Sequence, residues 1–437
     1  MKKLLPLFIS VAFGGLSQSA LADNLAEIYQ QAKQNDPQLL KAAADKDAAF
    51  EAINSARSSL LPQINLSAGY KGNFMDADSH APGAPDNHGF NTGLQLSQSI
   101  YNRSSWVNLD ISEQQARQSD AAYAAAQQAL IMRVSKAYFD VLKAQDDLTF
   151  VRAEKAAVGR QLEQMKQRFD VGLSAITDVY DAQAQYDSVL ASEILKENAL
   201  TNSYEELREI TGQAHKNLDI LDTKSFSASN PGKPVNDLVK GAETENLTLL
   251  TYRIAQDVAR NKISLAESGH LPTLSFDTGY SYDQTRMGND DGALTAGVTM
   301  NLPVYTGGRT TSEVKQAQFA YVSASEQLEQ QYRSVVKDVR AYYNNINSSI
   351  ASLRAYQQSV VSAKSALEAT EAGFDVGTRT IVDVLNSTQS LYNANSQLAD
   401  ARYNYILSQL QLKQAVGTLS EQDILDINQG LKAVAKK

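Results

Sequence analysis

The sequence predicts a mainly α-helical chain that also contributes four membrane-spanning β-strands, with both kinds of element arranged in an internal two-fold repeat. Three observations lead to this fold class. No proline occurs between Pro85 and Pro231 or after Pro303, which permits very long helices. Four segments of about eleven residues alternate apolar and small polar side chains, the pattern of strands with one apolar face. Matching blocks of sequence recur about 205 residues apart.

The first 22 residues read as a secretory signal peptide. Lys2 and Lys3 precede an apolar core at residues 4–16, and Ala20-Leu21-Ala22 forms a cleavage site. An N-terminal membrane anchor is the alternative, but the apolar core is too short to span a bilayer. We therefore expect an exported protein whose mature chain starts near Asp23. No later apolar run has the length of a transmembrane helix, so any membrane insertion is expected to use β-strands.

An internal sequence repeat determines the domain organisation. LPQINLSAGY at residues 61–70 recurs as LPTLSFDTGY at 271–280, FDVG at 169–172 recurs at 374–377, and ITDV at 176–179 recurs as IVDV at 381–384. We therefore divide the chain into a signal peptide (1–22), a first repeat (23–224), a linker (225–235), a second repeat (236–418) and a C-terminal equatorial segment (419–437). Strands are expected at about 62–75, 90–101, 272–283 and 293–305.

Each predicted strand separates apolar from polar side chains. Leu96 alternates with Gln95, and Val298 alternates with Thr299. Each strand has about the length that crosses a bilayer when tilted in a barrel. A soluble sandwich with one buried face is the alternative. The polar faces carry few charges, which favours a water-filled lumen.

The remainder of each repeat reads as long helices. Residues 104–169 contain no proline and would form a helix of roughly 100 Å. A heptad pattern, typical of a coiled coil, is formed in the second repeat by Val384, Leu391, Leu398, Tyr405 and Leu412. Gly172 and Gly377 each follow such a pattern and suit a helix C-cap. These two tip turns are expected to join antiparallel helices at one end of the coiled coil.

Four strands cannot close a barrel, and an open sheet edge in lipid leaves backbone groups unpaired at several kcal/mol each. The chain is therefore expected to oligomerise. Two chains would give eight strands, whose side chains fill the interior, whereas three would give twelve strands and a conducting lumen. Three chains, each with two like halves, would form a tube with approximate sixfold symmetry.

Composition excludes other classes of function. The 437 residues carry 40 Lys and Arg against 49 Asp and Glu, for a net charge of −9, which argues against nucleic-acid binding. The absence of cysteine excludes disulfides and thiolate chemistry. No metal or cofactor site is expected. His80 and His88 fall in an expected surface loop at residues 76–89, and Asp290-Asp291-Gly292 is interpreted as a turn between strands.

The chain resembles the TolC-like outer-membrane efflux proteins over essentially its whole mature length. The resemblance rests on the two Leu-Pro strands, on LPVYTGG at 302–308, and on the tip motifs VGLSAITDV at 171–179 and VGTRTIVDVL at 376–385. It implies a homotrimer in the outer membrane that extends into the periplasm, with a trimeric 12-stranded β-barrel continued by a long α-helical coiled-coil barrel. The implied function is a passive exit duct for drugs, bile salts and protein toxins, in drug efflux and type I protein secretion. The implied partners are a periplasmic adaptor (membrane fusion) protein, an inner-membrane RND-type or ABC-type pump, and outer-membrane lipid.

Two interpretations of Asp383 are open. It lies three residues after Thr380, which fits a capping box at the start of a helix. The resemblance instead implies that three copies of Asp383 form the pore constriction. The family pattern has a second acid one turn later, where this chain has Asn386, so one acidic ring is expected.

The resemblance also implies links that hold the tip closed. Arg379 is expected to link to Thr177 and Asp178 on a neighbouring coiled coil, with Phe374 among the tip-closing residues. Ala175 stands three residues before Asp178, so a capping box is not expected to account for that acid. A partner that docks on the tip could then shift the balance towards an open state.

Two rival classes are a periplasmic coiled-coil adaptor without a membrane-spanning barrel and an exported enzyme. An adaptor would cluster its strands in one block, whereas this chain splits them into two hairpins about 200 residues apart. No nucleophile–base pair or metal-ligand cluster in the sequence favours an enzyme.

Overall fold

The structure is a computed structural model that describes residues 23–73, 87–285 and 290–433. The expected signal peptide and His80 lie outside the described residues, as does the side chain of His88. The helices are α1 (Leu25–Asn35), α2 (Pro37–Ser58), α3 (Arg103–Asp170), α4 (Ile176–Thr211), α5 (Val235–Glu245), α6 (Leu247–Glu267), α7 (Arg309–Asp375), α8 (Ile381–Val416) and α9 (Glu421–Asn428). The strands are β1 (Gln63–Asn73), β2 (Asn87–Tyr101), β3 (Ile220–Leu221), β4 (Thr273–Thr285), β5 (Asp290–Asn301) and β6 (Leu431–Lys432).

The four long strands form one antiparallel sheet in the order β1-β2-β4-β5. Its register separates the apolar and polar faces as the sequence predicts. One row of opposed residues across the four strands is Leu66, Leu94, Tyr280 and Leu294. The adjacent row, on the other face, is Asn65, Gln95, Gly279 and Thr295.

Two expectations at the outer ends of the strands were wrong. Asp290-Asp291-Gly292 is not a turn, because Asp291 pairs with Asp283 inside the β4–β5 ladder. The connection between these strands lies in residues 286–289, outside the described residues. The loop expected at residues 76–89 is also shorter, because Asn87 already pairs with Asn73 in the β1–β2 ladder. In both hairpins the backbone hydrogen bonds between the strands continue beyond the last residue that follows the apolar–polar alternation.

At its other end β5 stops at Asn301 and does not reach residue 305 as expected. Pro303 explains the difference, since proline has no N–H to donate to a sheet ladder. The chain then turns through Gly307 and Gly308, both with positive φ, and enters α7.

A single chain leaves this sheet incomplete. Strands β1 and β5 are its edges, and each pairs with one neighbour among the described strands. The apolar face is also open, with the Ile64 side chain 66% exposed and that of Leu294 77% exposed. In water, long strand edges and an uncovered apolar face favour aggregation. Both therefore need a cover, which the described residues of this chain do not provide.

The sheet lies at one end of the long helices, since α3 begins directly after β2 and α7 follows β5. Helices α3 and α7 have 68 and 67 residues, each roughly 100 Å long. Near the sheet, Val107 and Ile111 of α3 pack against Ile254 and Val258 of α6. Within the described residues, no helix combines the length and apolar character needed to cross a lipid bilayer.

The middle of the molecule holds the largest apolar core. There the fully buried Leu130 and Tyr138 of α3 pack with residues of α1, α4, α7, α8 and α9. The Tyr138 hydroxyl donates to the backbone carbonyl of Asp219, 2.7 Å away. The short strands β3 and β6 pair beside this core, so the C-terminal segment closes back onto the end of the first repeat.

Candidate functional site

The end of the molecule far from the sheet is formed by two turns with the same geometry. Gly172 and Gly377 adopt φ values of +78° and +77°, where an L-residue is strained. After each helix the chain folds back, and a backbone hydrogen bond connects residues five positions apart. These bonds run from Leu173 N–H to the Arg168 carbonyl (2.8 Å) and from Thr378 N–H to the Gly373 carbonyl (2.8 Å). This is the Schellman arrangement, which satisfies the last carbonyls of α3 and α7.

A second, smaller core brings the two turns together at one tip. Helices α4 and α8 restart at Ile176 and Ile381, directly after the turns. The tip core consists of the buried residues Val158, Leu162, Met165, Ala182, Val189, Ile381, Val384 and Leu385. Its members come from α3, α4 and α8. Thr177, Asp178 and Asp383 lie in the first turns of α4 and α8, and Asn386 lies one turn further along α8.

Asp383 forms the capping box that its spacing predicts. Its Oδ2 accepts hydrogen bonds from the Thr380 backbone N–H (2.9 Å) and the Thr380 hydroxyl (3.0 Å), and its own N–H donates to Thr380 Oγ1 (3.2 Å). The backbone bond, the hydroxyl bond and the positive charge of Arg379 lower the pKa of Asp383. The carboxylate therefore stays ionised at neutral and mildly acidic pH, so the capping role and a charged ring are compatible.

Asp178 corrects an expectation. Although Ala175 has no hydroxyl, the Asp178 Oδ2 accepts from the Ala175 backbone N–H (3.2 Å) and from the Ser174 hydroxyl (2.7 Å). Asp178 thus caps the helix start after all, because the bond from the Ala175 backbone N–H needs no hydroxyl at position 175, and the Ser174 hydroxyl adds a second bond. As in Asp383, the described residues leave Oδ1 without a hydrogen-bond partner.

Arg379 is exposed, and it forms no ion pair with any carboxylate of the described ranges. Its backbone N–H donates to the Gly373 carbonyl (3.2 Å), which fixes the residue in the turn. Thr177 and Asn386 are exposed as well. The described residues of this chain contain no bond from the Arg379 side chain to Asp178 or Thr177. The link to a neighbouring coiled coil therefore stays a prediction.

Arg168 is a tip residue that the sequence reasoning missed. Its Nη2 lies 3.2 Å from Asp375 Oδ1, and its guanidinium carbon lies 4.7 Å from the centroid of the Phe374 ring. It therefore joins the turn after α3 to the turn after α7 within one chain. The sequence contains one indication of this difference between the tips: Arg168 occupies the repeat position at which the second repeat has Gly373. At Gly373 a Cβ would come within 2.8 Å of the Arg379 side chain, so the missing side chain makes room for Arg379.

The sheet with an exposed apolar face and the two helices of roughly 100 Å that end in paired turns are features of outer-membrane channel proteins. The Outer membrane efflux protein family model matches residues 28–213 and 238–418, one segment for each repeat. The chain belongs to the outer membrane efflux protein family, which is a family of transport channels located in the outer membrane.

Individual relatives agree over the whole length. The outer membrane protein TolC of Vibrio cholerae is 64% identical, with 100% of both chains covered. The alkaline protease secretion protein AprF of Pseudomonas aeruginosa is 27% identical, covering 97% of this chain and 90% of the relative. Among solved structures, the CmeC outer membrane channel of Campylobacter jejuni has the same fold, with a TM-score of 0.80 at 16% identity and coverage of 99% of this chain and 98% of that one.

Proposed function

We propose that the protein is the outer-membrane exit duct of tripartite drug-efflux and type I protein-secretion systems, assembled as a homotrimer. The observation that carries this proposal is the sheet itself: its edge strands β1 and β5 each have one neighbour among the described strands, and its apolar face is exposed. The likeness to TolC of Vibrio cholerae supports the channel, and the likeness to a protein named for protease secretion supports the export of proteins.

The trimer follows from the need to pair both edges. When β5 of one copy pairs with β1 of the next around a closed ring, no edge remains in lipid. Three copies give twelve strands, enough to leave a lumen, and the polar rows such as Asn65 and Gln95 then face water. The helices continue the tube into the periplasm. There a periplasmic adaptor would dock on the coiled coils, and an inner-membrane RND-type or ABC-type pump would supply the energy.

The first test is the mass and the membrane association of the particle. Detergent-solubilised protein should have the mass of three chains, and it should stay in the membrane fraction after a high-salt wash. A monomeric or dimeric mass would contradict the trimer. Release by salt alone would favour the rival class, a periplasmic adaptor without a membrane-spanning barrel.

The second prediction concerns closure of the tip. Arg379→Ser and Asp178→Ala should each raise the single-channel conductance of the trimer in planar bilayers, because each removes one side of a link between neighbouring coiled coils. The double variant should raise it by less than the sum of the two, since one interaction is shared. Arg354→Ser, at an exposed arginine in the middle of α7, is the matched control. If the tip variants conduct like the control, Arg379 is only a solvated charge.

The third prediction concerns the single acidic ring. Asp383→Asn removes the charge and keeps an oxygen that accepts the Thr380 hydrogen bonds, so the helix start should survive. The preference of the channel for cations should fall, measured as the reversal potential under a salt gradient. Asn386→Asp should raise the same preference by adding a second ring. An unchanged reversal potential in both variants would leave Asp383 with the capping role alone.

A further inference from the structure

Asp23, the residue that follows the expected cleavage site, is anchored to the segment after α4. Its backbone N–H donates to the Asn217 carbonyl (2.9 Å), and its own carbonyl accepts from Asp219 N–H (3.3 Å). These bonds form a parallel bridge to Leu218, which is buried in the central core. The backbone nitrogen of residue 23 therefore has a fixed position in the fold.

The side chain of Asp23 is held as firmly as its backbone. Its Oδ2 lies 2.7 Å from His215 Nδ1, and the His215 side chain is only 2% exposed. A carboxylate can only accept, so Nδ1 carries the proton of this bond. On the other side of the ring, His215 Nε2 lies 3.0 Å from the hydroxyl of the buried Thr211.

Three acidic side chains, those of Asp23, Glu27 and Asp219, interact with one another beside this bridge. The pKa of Asp219 is raised by burial and by the carboxylates of Glu27 and Asp23. The Asp219 Oδ1 is buried and accepts no hydrogen bond from the described residues. Within the same ranges no lysine or arginine forms an ion pair with Asp23, Glu27 or Asp219. Asp219 is half-buried, and a buried oxygen without a hydrogen-bond donor is costly, so a cation at this position would stabilise the cluster.

We propose that the α-ammonium group of mature Asp23 is the missing cation, bound by the Asn217 carbonyl and by the carboxylates of Asp219 and Glu27. The proposal rests on the predicted processing site and goes beyond the channel function. Hydrolysis by a signal peptidase breaks the Ala22–Asp23 amide bond. The oxygen of the attacking water becomes part of the Ala22 carboxylate, and the released Asp23 amine binds a proton at neutral pH. Processing thus creates a positive charge at the point where the fold lacks one.

The pH dependence of stability follows from this geometry. An α-amino group ordinarily has a pKa of about 8, and neighbouring carboxylates raise this pKa. A raised pKa stabilises the folded state fully below the ordinary value, and this stabilisation is lost as the pH rises through the raised one. The other titratable groups that face the cluster are Glu27 on α1, Tyr138 on α3, Tyr204 on α4, and His215.

The test compares the mature protein with variants in detergent. A glutamine inserted between Ala22 and Asp23 moves the ammonium group outward by one residue and keeps the Asp23 N–H that bonds Asn217. Asp219→Asn removes the acceptor charge. Both variants should lower the midpoint of thermal unfolding at neutral pH by about 2 °C. They should also reduce the loss of stability between about pH 8 and about pH 10. Glu209→Gln, at an exposed acid on α4, should change neither quantity.

Mass spectrometry of each purified chain provides the deciding control. The mature wild-type chain must start at Asp23, and a different start would overturn the proposal. Equal midpoints and equal pH profiles in the wild type and both variants would overturn it as well. Assembly is measured separately as the mass of the particle, which should remain that of three chains in every variant. Failure of the N-terminal site is thereby distinguished from failure of the channel assignment.

Discussion

Arginine in place of Leu96 or Val298 is expected to prevent assembly in the outer membrane. In the sheet Leu96 lies opposite Ile64 and Thr278, and Val298 lies opposite Phe276, all on the apolar face. A charge on the lipid-facing side of a barrel costs roughly 2–4 kcal/mol near the bilayer midplane. Because a homotrimer repeats the substitution in each copy, the penalty multiplies. The measurement is the amount of trimer recovered from outer-membrane fractions.

The matched controls lie one residue away on the same strands. Gln95→Arg and Thr299→Arg place the same charge on the polar face, which the barrel turns towards its water-filled lumen. These variants should assemble in normal amounts. Equal loss of trimer in both sets would mean that the sheet does not face lipid with the side assigned to it.

Gly417→Ala should be the most damaging substitution in the helical part. Gly417 ends α8 with a φ of +94°, which already disfavours any L-residue. A Cβ there would overlap the backbone carbonyl of Glu245 and lie 2.8 Å from the Asn246 nitrogen. Backbone atoms at the α5–α6 junction cannot rotate away as a flexible side chain can. We expect loss of the folded protein, measured as degradation in the periplasm and absence of trimer.

Its repeat partner Gly212 supplies the control. Gly212 ends α4 with a φ of +72°, but a Cβ there would meet only the Asn35 Cβ at an ordinary 3.7 Å. Gly212→Ala should therefore cost only the conformational strain, about 1–2 kcal/mol, and still give trimer. If both variants assemble equally well, the close approach between α8 and the α5–α6 junction does not occur in the assembled protein.

Much of the fold could be read from local patterns. Alternation of apolar and polar residues located the four strands and assigned Leu96 and Val298 to the apolar face, because side chains of a strand point to opposite sides in turn. Heptads and the absence of proline located the long helices, and glycines marked their ends. Two errors fell at the outer ends of the strands, around Asp291 and Asn87, where hydrogen bonding between strands continues beyond the side-chain pattern. At the other end β5 was predicted too long, because Pro303 cannot donate to the ladder.

The tip shows the limit of such patterns. The spacing of Thr380 and Asp383 was enough to predict the capping box, since both residues belong to one turn of one helix. The contact of Arg168 with Phe374 and Asp375 joins residues about 207 positions apart, and no local period reports it. The same holds for the cluster of Asp23, His215 and Asp219.

The sequence by itself therefore determined which elements form, which of their faces are apolar, and that the two repeats share one plan. Such features depend on the spacing of residues along one strand or one helix turn. Only the tertiary structure decided how the repeats differ. Arg168 bridges the tip at the position where the second repeat has Gly373, which makes room for Arg379. Gly417 lies against a neighbouring backbone, whereas a Cβ at Gly212 would make only an ordinary contact with Asn35. These differences arise from distances between segments that are remote in the chain, and packing in three dimensions alone sets those distances.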